Sequence, residues 1–98
     1  MILEVAILNV IPKETEAFEL AFSKAQEIIS SINGYISHDL QKCIEDKNQY
    51  ILLVNWETIE AHEIGFRKSE EYQEWKKLLH HFYDPFPTVQ HYKSTLKE

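Results

Sequence analysis

The chain has 98 residues, 44% of them hydrophobic, with 10 Lys+Arg against 16 Asp+Glu, one Cys and only 2 Gly. That length fits one domain over residues 1–98, and the apolar share supports a packed core, so a two-domain or obligately disordered chain is excluded. A formal net charge of −6 repels a phosphate backbone, which argues against nucleic acid as a partner.

The lone Cys43 has no internal disulfide partner, as in a reducing compartment. Met1 to Glu4 carry no basic region of a signal peptide, and no apolar run approaches the ~20 residues of a membrane span. A cytoplasmic protein without a membrane partner is therefore expected.

Ile2 to Val10 read ILEVAILNV, an almost unbroken apolar run rich in β-branched residues. A strand with one wet face alternates, whereas one covered on both faces does not. Pro12 ends this strand, and Lys13-Glu14-Thr15-Glu16 opens a helix with acids at its positive end. Phe18, Ala21, Phe22, Ala25, Ile28, Ile29 and Ile32 follow on one helical face. Asn33-Gly34 closes it, because both residues tolerate a left-handed cap.

Tyr35 to Ile44 alternate only partly and predict a half-buried strand. Glu45 to Asn48 form a turn into Gln49–Glu57, where YILLVNW is again apolar on both sides, so the two strands make a hairpin. Thr58 caps a short helix to about Ile64, interrupted at Gly65. Ser69-Glu70-Glu71 opens another, with Tyr72, Trp75, Leu78, Leu79 and Phe82 at helical spacing. Asp84-Pro85-Phe86-Pro87 breaks it, and Thr88 to Thr95 form a last strand.

The order β-α-β-β-α-α-β predicts an α+β, ferredoxin-like fold, a four-stranded antiparallel sheet with its helices on one face. Those helices cover one sheet face, while the first and third strands read as covered on both. A second copy packed sheet against sheet supplies the missing cover, so a homodimer through the sheet faces is expected.

Few residues suggest chemistry. His80 and His81 are adjacent on a helix and diverge, whereas a zinc pair on one face needs i, i+4 spacing, and no second Cys completes a C-x-x-C; no metal is expected. One of these histidines is expected under the Pro85 loop, hydrogen-bonded, and the other in solvent. Cys43 reads as a small semi-buried residue. With two glycines, a phosphate-cradling loop is excluded. The aromatics Phe66, Tyr72, Trp75, Phe82 and Tyr83 read either as core or as the wall of a pocket over the sheet, with Asn9, Asn55, His38, His62 and His91 as its polar candidates. Asn9 and Asn55 interrupt apolar strands, and an unpartnered buried amide costs on the order of 1–3 kcal/mol, so each needs a partner or a sheet edge. Parity places Asn9 with Val5 and Ile7, and Asn55 opposite Trp56, without saying which face is which.

Trp56-Glu57-Thr58, Glu60-Ala61-His62, Phe66-Arg67-x-Ser69 before Tyr72 and Trp75, and Pro87-Thr88-Val89-Gln90-His91-Tyr92 together resemble the antibiotic biosynthesis monooxygenase domain over essentially the whole chain. The resemblance implies ferredoxin-like subunits paired into a dimeric α+β barrel. It also implies a cofactor-independent monooxygenase, in which a deprotonated aromatic or quinol-like substrate itself reacts with oxygen and no cofactor is needed. His62 or His91 would then be the base, Asn9 or Asn55 would hold a phenolate oxygen, and Phe66, Tyr72 and Trp75 would pack on the ring. A non-catalytic small-ligand-binding or stress-associated dimeric module is the alternative. Haem-degrading members carry Asn, Trp and a haem-ligating His where this chain has Ile7, Phe66 and Lys76, so haem degradation is not expected.

Overall fold

A computed structural model describes residues 1–96. β1 (Ile2–Asn9), β2 (Tyr35–Lys42), β3 (Gln49–Trp56) and β4 (Val89–Tyr92) form one antiparallel sheet in the order β2-β3-β1-β4. Two α-helices, α1 (Thr15–Ile29) and α2 (Glu70–Leu79), pack on one face. A π-helical turn, Ala61–Phe66, precedes α2, and a 3-10 turn, His80–Phe82, follows it. This is the ferredoxin-like α+β arrangement expected from the sequence. No helix among the described residues is long and apolar enough to cross a membrane.

The helix α1 buries Phe18, Phe22, Ala25 and Ile29, whose spacing keeps them on one side of the cylinder. α2 is capped by Ser69, whose hydroxyl accepts from the Tyr72 amide at 3.1 Å. Glu70 and Glu71 in its first turn and Lys76 and Lys77 in its last complement the helix dipole. Trp75 and Leu79 turn inward onto the core formed by Ala6, Leu8, Leu52 and Val54.

Several boundaries differ from expectation. α1 ends at Ile29, and Ile32 packs from the turn that follows. β2 stops at Lys42, although the Cys43 amide still donates to the Gln49 carbonyl at 2.8 Å, and β4 covers only Val89–Tyr92, the residues paired with β1. Phe82 is buried from the 3-10 turn rather than from α2. Gly65 does not interrupt its helix. The turn widens instead, with the Arg67 amide donating to the His62 carbonyl at 3.0 Å, and this brings His62 and Phe66 inward together. Thr58 caps the segment as expected, its hydroxyl accepting from the Ala61 amide at 3.1 Å.

Gly34 locks this turn against the sheet. It sits at φ +95°, and a Cβ there would lie 2.5 Å from that of Ala61. Its carbonyl also accepts from the Glu57 amide at 2.8 Å. Gly34→Ala therefore combines a left-handed backbone cost with a steric clash, and urea unfolding should show a loss of roughly 2–3 kcal/mol.

The sheet has two unequal faces. Glu4, Ala6 and Leu8 of β1, with Tyr50, Leu52, Val54 and Trp56 of β3, point toward the helices and are buried. Leu3, Val5, Ile7, Ile51 and Leu53 point the other way, where nothing in the described chain covers them fully; Ile7 is 40% exposed.

Candidate active site

Between the helices and the sheet lies a cavity of about 360 Å³, a size typical of small-molecule pockets. Its floor is Glu4, Ala6 and Leu8 of β1 with Leu52 and Val89. Its walls are His62 and Phe66 from the π-helical turn, Tyr72 and Trp75 from α2, and His80, Tyr83, Phe86 and Pro87 from the segment that returns to β4. Arg67 lies on the wall as well. The aromatic rings brace one another, with Phe66 edge-on to Tyr72 at 5.1 Å and to Trp75 at 5.4 Å between centroids.

A polar chain crosses the cavity floor. Fully buried Trp56 donates its indole N–H to Glu4 Oε1 at 2.9 Å. His62 stacks on Trp56 at 5.2 Å and sets its Nε2 at 3.4 Å from the same oxygen. Its Nδ1 meets His91 Nε2 at 2.7 Å. The π-helical turn aims His62 inward, and β4 brings His91 to it because His91 lies directly opposite Glu4 in the β1–β4 ladder.

Electrostatics follow from burial. Desolvation pushes the Glu4 carboxyl above its ordinary value, and the Trp56 hydrogen bond and the Arg67 charge only partly offset this. Desolvation, with Arg67 and His91 adding to it, pushes His62 down to about 3. His62 is thus a neutral imidazole at neutral pH, and the 3.4 Å spacing to Glu4 is longer than a tight ion pair. The Tyr72 and Tyr83 hydroxyls are also held protonated by burial.

Of the residues singled out in the sequence, His62, Phe66, Tyr72, Trp75 and Tyr83 line the cavity together, while Phe82 belongs to the core. His91 stands behind His62 rather than in the wall. Asn9 and Asn55 are corrections: both lie on the sheet face turned away from the cavity. Asn9 accepts from Gln49 Nε2 at 3.1 Å, and Asn55 donates to Ser37 Oγ at 3.0 Å, so cross-strand neighbours satisfy these amides. His38 is on the helix side but away from the cavity, bonded to Tyr35 and Gln26. Of the two adjacent histidines, His80 packs edge-on to Phe86 beside the Pro85 loop and His81 is exposed. Glu4, Phe86 and Pro87 were not foreseen. Among the described residues, no group of three or more His, Cys, Asp or Glu side chains is placed to hold a metal ion.

Comparison with known proteins agrees with this architecture. The family model for antibiotic biosynthesis monooxygenase matches residues 1–78. The uncharacterized protein YczJ of Bacillus subtilis is 54% identical over 93 residues, which is 95% of this chain and 98% of that protein. A Bordetella bronchiseptica structure assigned to the antibiotic biosynthesis monooxygenases superposes with a TM-score of 0.92 at 33% identity, covering 97% of each chain. SnoaB of Streptomyces nogalater, a cofactor-independent oxygenase, shares the fold, with a TM-score of 0.75 at 16% identity over 98% of this chain and 94% of its own.

Proposed function

The chain belongs to the antibiotic biosynthesis monooxygenase family, and from that premise we propose that it is a cofactor-independent oxygenase of a small aromatic, quinol-like compound. One observation carries this reading: an aromatic-walled cavity whose floor holds a buried carboxyl and a neutral imidazole side by side. Phe66, Tyr72 and Trp75 supply flat apolar contact for a ring. Glu4 and His62, the latter backed by His91, supply the polar edge toward which the ring's hydroxyl would turn.

The reaction asks little more of the protein. A phenol or anthrone that has lost a proton is electron-rich enough to reduce oxygen directly. Recombination forms a carbon–oxygen bond, and loss of water from the resulting peroxide leaves a carbonyl. One oxygen molecule is consumed and one water released for each CH2 converted to C=O. The protein's part is to bind the ring, order it and move the proton.

Oxygen uptake with a panel of hydroquinones and anthrones is the test. Consumption above autoxidation is expected for at least one compound, reduced about tenfold or more by Trp75→Ala through lost ring packing. No turnover across the panel would sink the oxygenase reading. If ligand binding survives His62→Ala and His91→Ala while no oxygen is consumed, the protein is a binding module that uses the same cavity.

We also propose that the open sheet face is covered by a second copy of the chain. Leu3, Val5, Ile7, Ile51 and Leu53 form an apolar surface there, and a two-fold partner would present the same surface in return. A cytoplasmic setting fits the lone thiol of Cys43, which stays reduced there.

A further inference from the structure

Among the described residues, one oxygen atom in the cavity has no protein hydrogen-bond partner. Glu4 is 5% exposed, and its Oε1 is engaged by Trp56 at 2.9 Å and faced by His62 at 3.4 Å. Among the described residues, no side chain donates to Oε2. Among the described residues, no buried side-chain nitrogen or oxygen lacks a hydrogen-bond partner. Oε2 is therefore not sealed in the core but opens onto the cavity that Glu4 helps to line.

The surroundings select what that oxygen accepts. A carboxylate oxygen has no proton to give, so its ligand must bring a donor. The Arg67 charge on the same wall disfavours a cationic donor such as an amine, and Glu4 itself disfavours an anion. A neutral hydroxyl on an aromatic ring satisfies both conditions and matches the ring-lined walls.

We propose that Glu4 Oε2 binds the hydroxyl of a phenolic ligand in this cavity and, during turnover, receives its proton. In that step the O–H bond breaks, its electron pair stays on the phenolate oxygen and a new H–Oε2 bond forms. The proposal rests on reading the cavity as a site for a phenolic aromatic. His62, neutral and stacked on Trp56, is then a positioning residue.

Glu4 is placed for this role by every element around it. The ionisable groups facing it are His62 from the π-helical turn, His91 opposite on β4, Arg67, Tyr72 on α2 and Tyr83 before β4, with His80 further along the wall. Burial raises the carboxyl from its ordinary 4.5, which brings its titration toward an accessible range.

Calorimetric titration of the full chain with 4-methylphenol and with its methyl ether tests the idea without turnover. The wild type should prefer the phenol by about tenfold or more, the scale of a hydrogen bond to a charged acceptor. That preference should fade as pH falls and Glu4 takes up a proton. Glu4→Gln, which keeps an acceptor for Trp56, should lose most of the preference and all of its pH dependence. An unchanged preference and pH profile in Glu4→Gln, or no preference in the wild type, would overturn the proposal. Should the variant not fold, the wild-type comparison of phenol and ether across pH decides alone. Oxygen uptake separates the two readings: phenol preference without uptake keeps Glu4 as the ligand and removes the oxygenase. Undiminished uptake by Glu4→Gln removes Glu4 and keeps the oxygenase.

Discussion

Leu53→Lys is expected to turn a dimer into a folded monomer at micromolar concentration in sedimentation. Leu53 lies on the open sheet face, in register with Val5 on β1 and Asp39 on β2. In the isolated subunit a lysine there can extend into solvent or toward Asp39, so the fold should tolerate it. In a sheet-on-sheet dimer it would be buried twice, once in each copy. Burying a leucine contributes about 1.5–3 kcal/mol, so losing two leucines weakens association by roughly 3–6 kcal/mol, or about 10²–10⁴-fold in Kd. The buried ammonium groups add to that. A wild type that sediments as a monomer, or a variant that remains as dimeric as the wild type, would refute the sheet-face dimer.

The unbroken apolar runs of β1 and β3 made this face legible in the sequence. Runs such as ILEVAILN and YILLVNW carry enough apolar side chains for two faces, and the structure has helices over one. The α1 stripe and the Ser69 cap were equally legible, because helical periodicity and an N-cap are local signals. Gly65 was misread because glycine breaks helices by propensity alone. Here the chain continues through it as a π-turn held by packing of His62 and Phe66 on Trp56.

The same two-sidedness that exposed the open sheet face obscured the site. When both faces of a strand are apolar, parity cannot say which one meets the helices, so Asn9 and Asn55 were assigned to a cavity they do not reach. Glu4 was passed over inside the apolar run of β1, although a carboxylate alternating with Ala6 and Leu8 was the sequence's clearest sign of a buried polar floor. Tyr72 and Trp75 were found because helical spacing groups them, and Phe66 because it stands in the aromatic-rich stretch just before them. Phe86 and Pro87 come from a loop, whose shape has no period to read.

Acid should expose His62 directly. Its folded value lies at about 3 against 6.5 when unperturbed, so between those pH values the unfolded chain binds a proton that the folded chain refuses. Stability therefore falls as pH drops through that window, by about 1.4 kcal/mol per unit at full effect. Glu4 acts with the opposite sign. Its folded value is raised above 4.5, so from there down to 4.5 the folded chain holds the extra proton and gains stability as pH falls. Below 4.5 Glu4 is protonated in both states, and the loss due to His62 continues unopposed. His38 and His80, also lowered by burial, add losses of the same sign as His62. Urea unfolding across pH should thus show its steepest loss below about 4.5. His62→Asn, which keeps a hydrogen-bonding group toward His91 but cannot take up a proton, should flatten that limb by up to one proton's slope. It should also be less stable than the wild type near neutral pH, through the lost stack on Trp56. An acid limb of unchanged slope in His62→Asn would mean that His62 is already protonated in the folded protein, paired to an ionised Glu4.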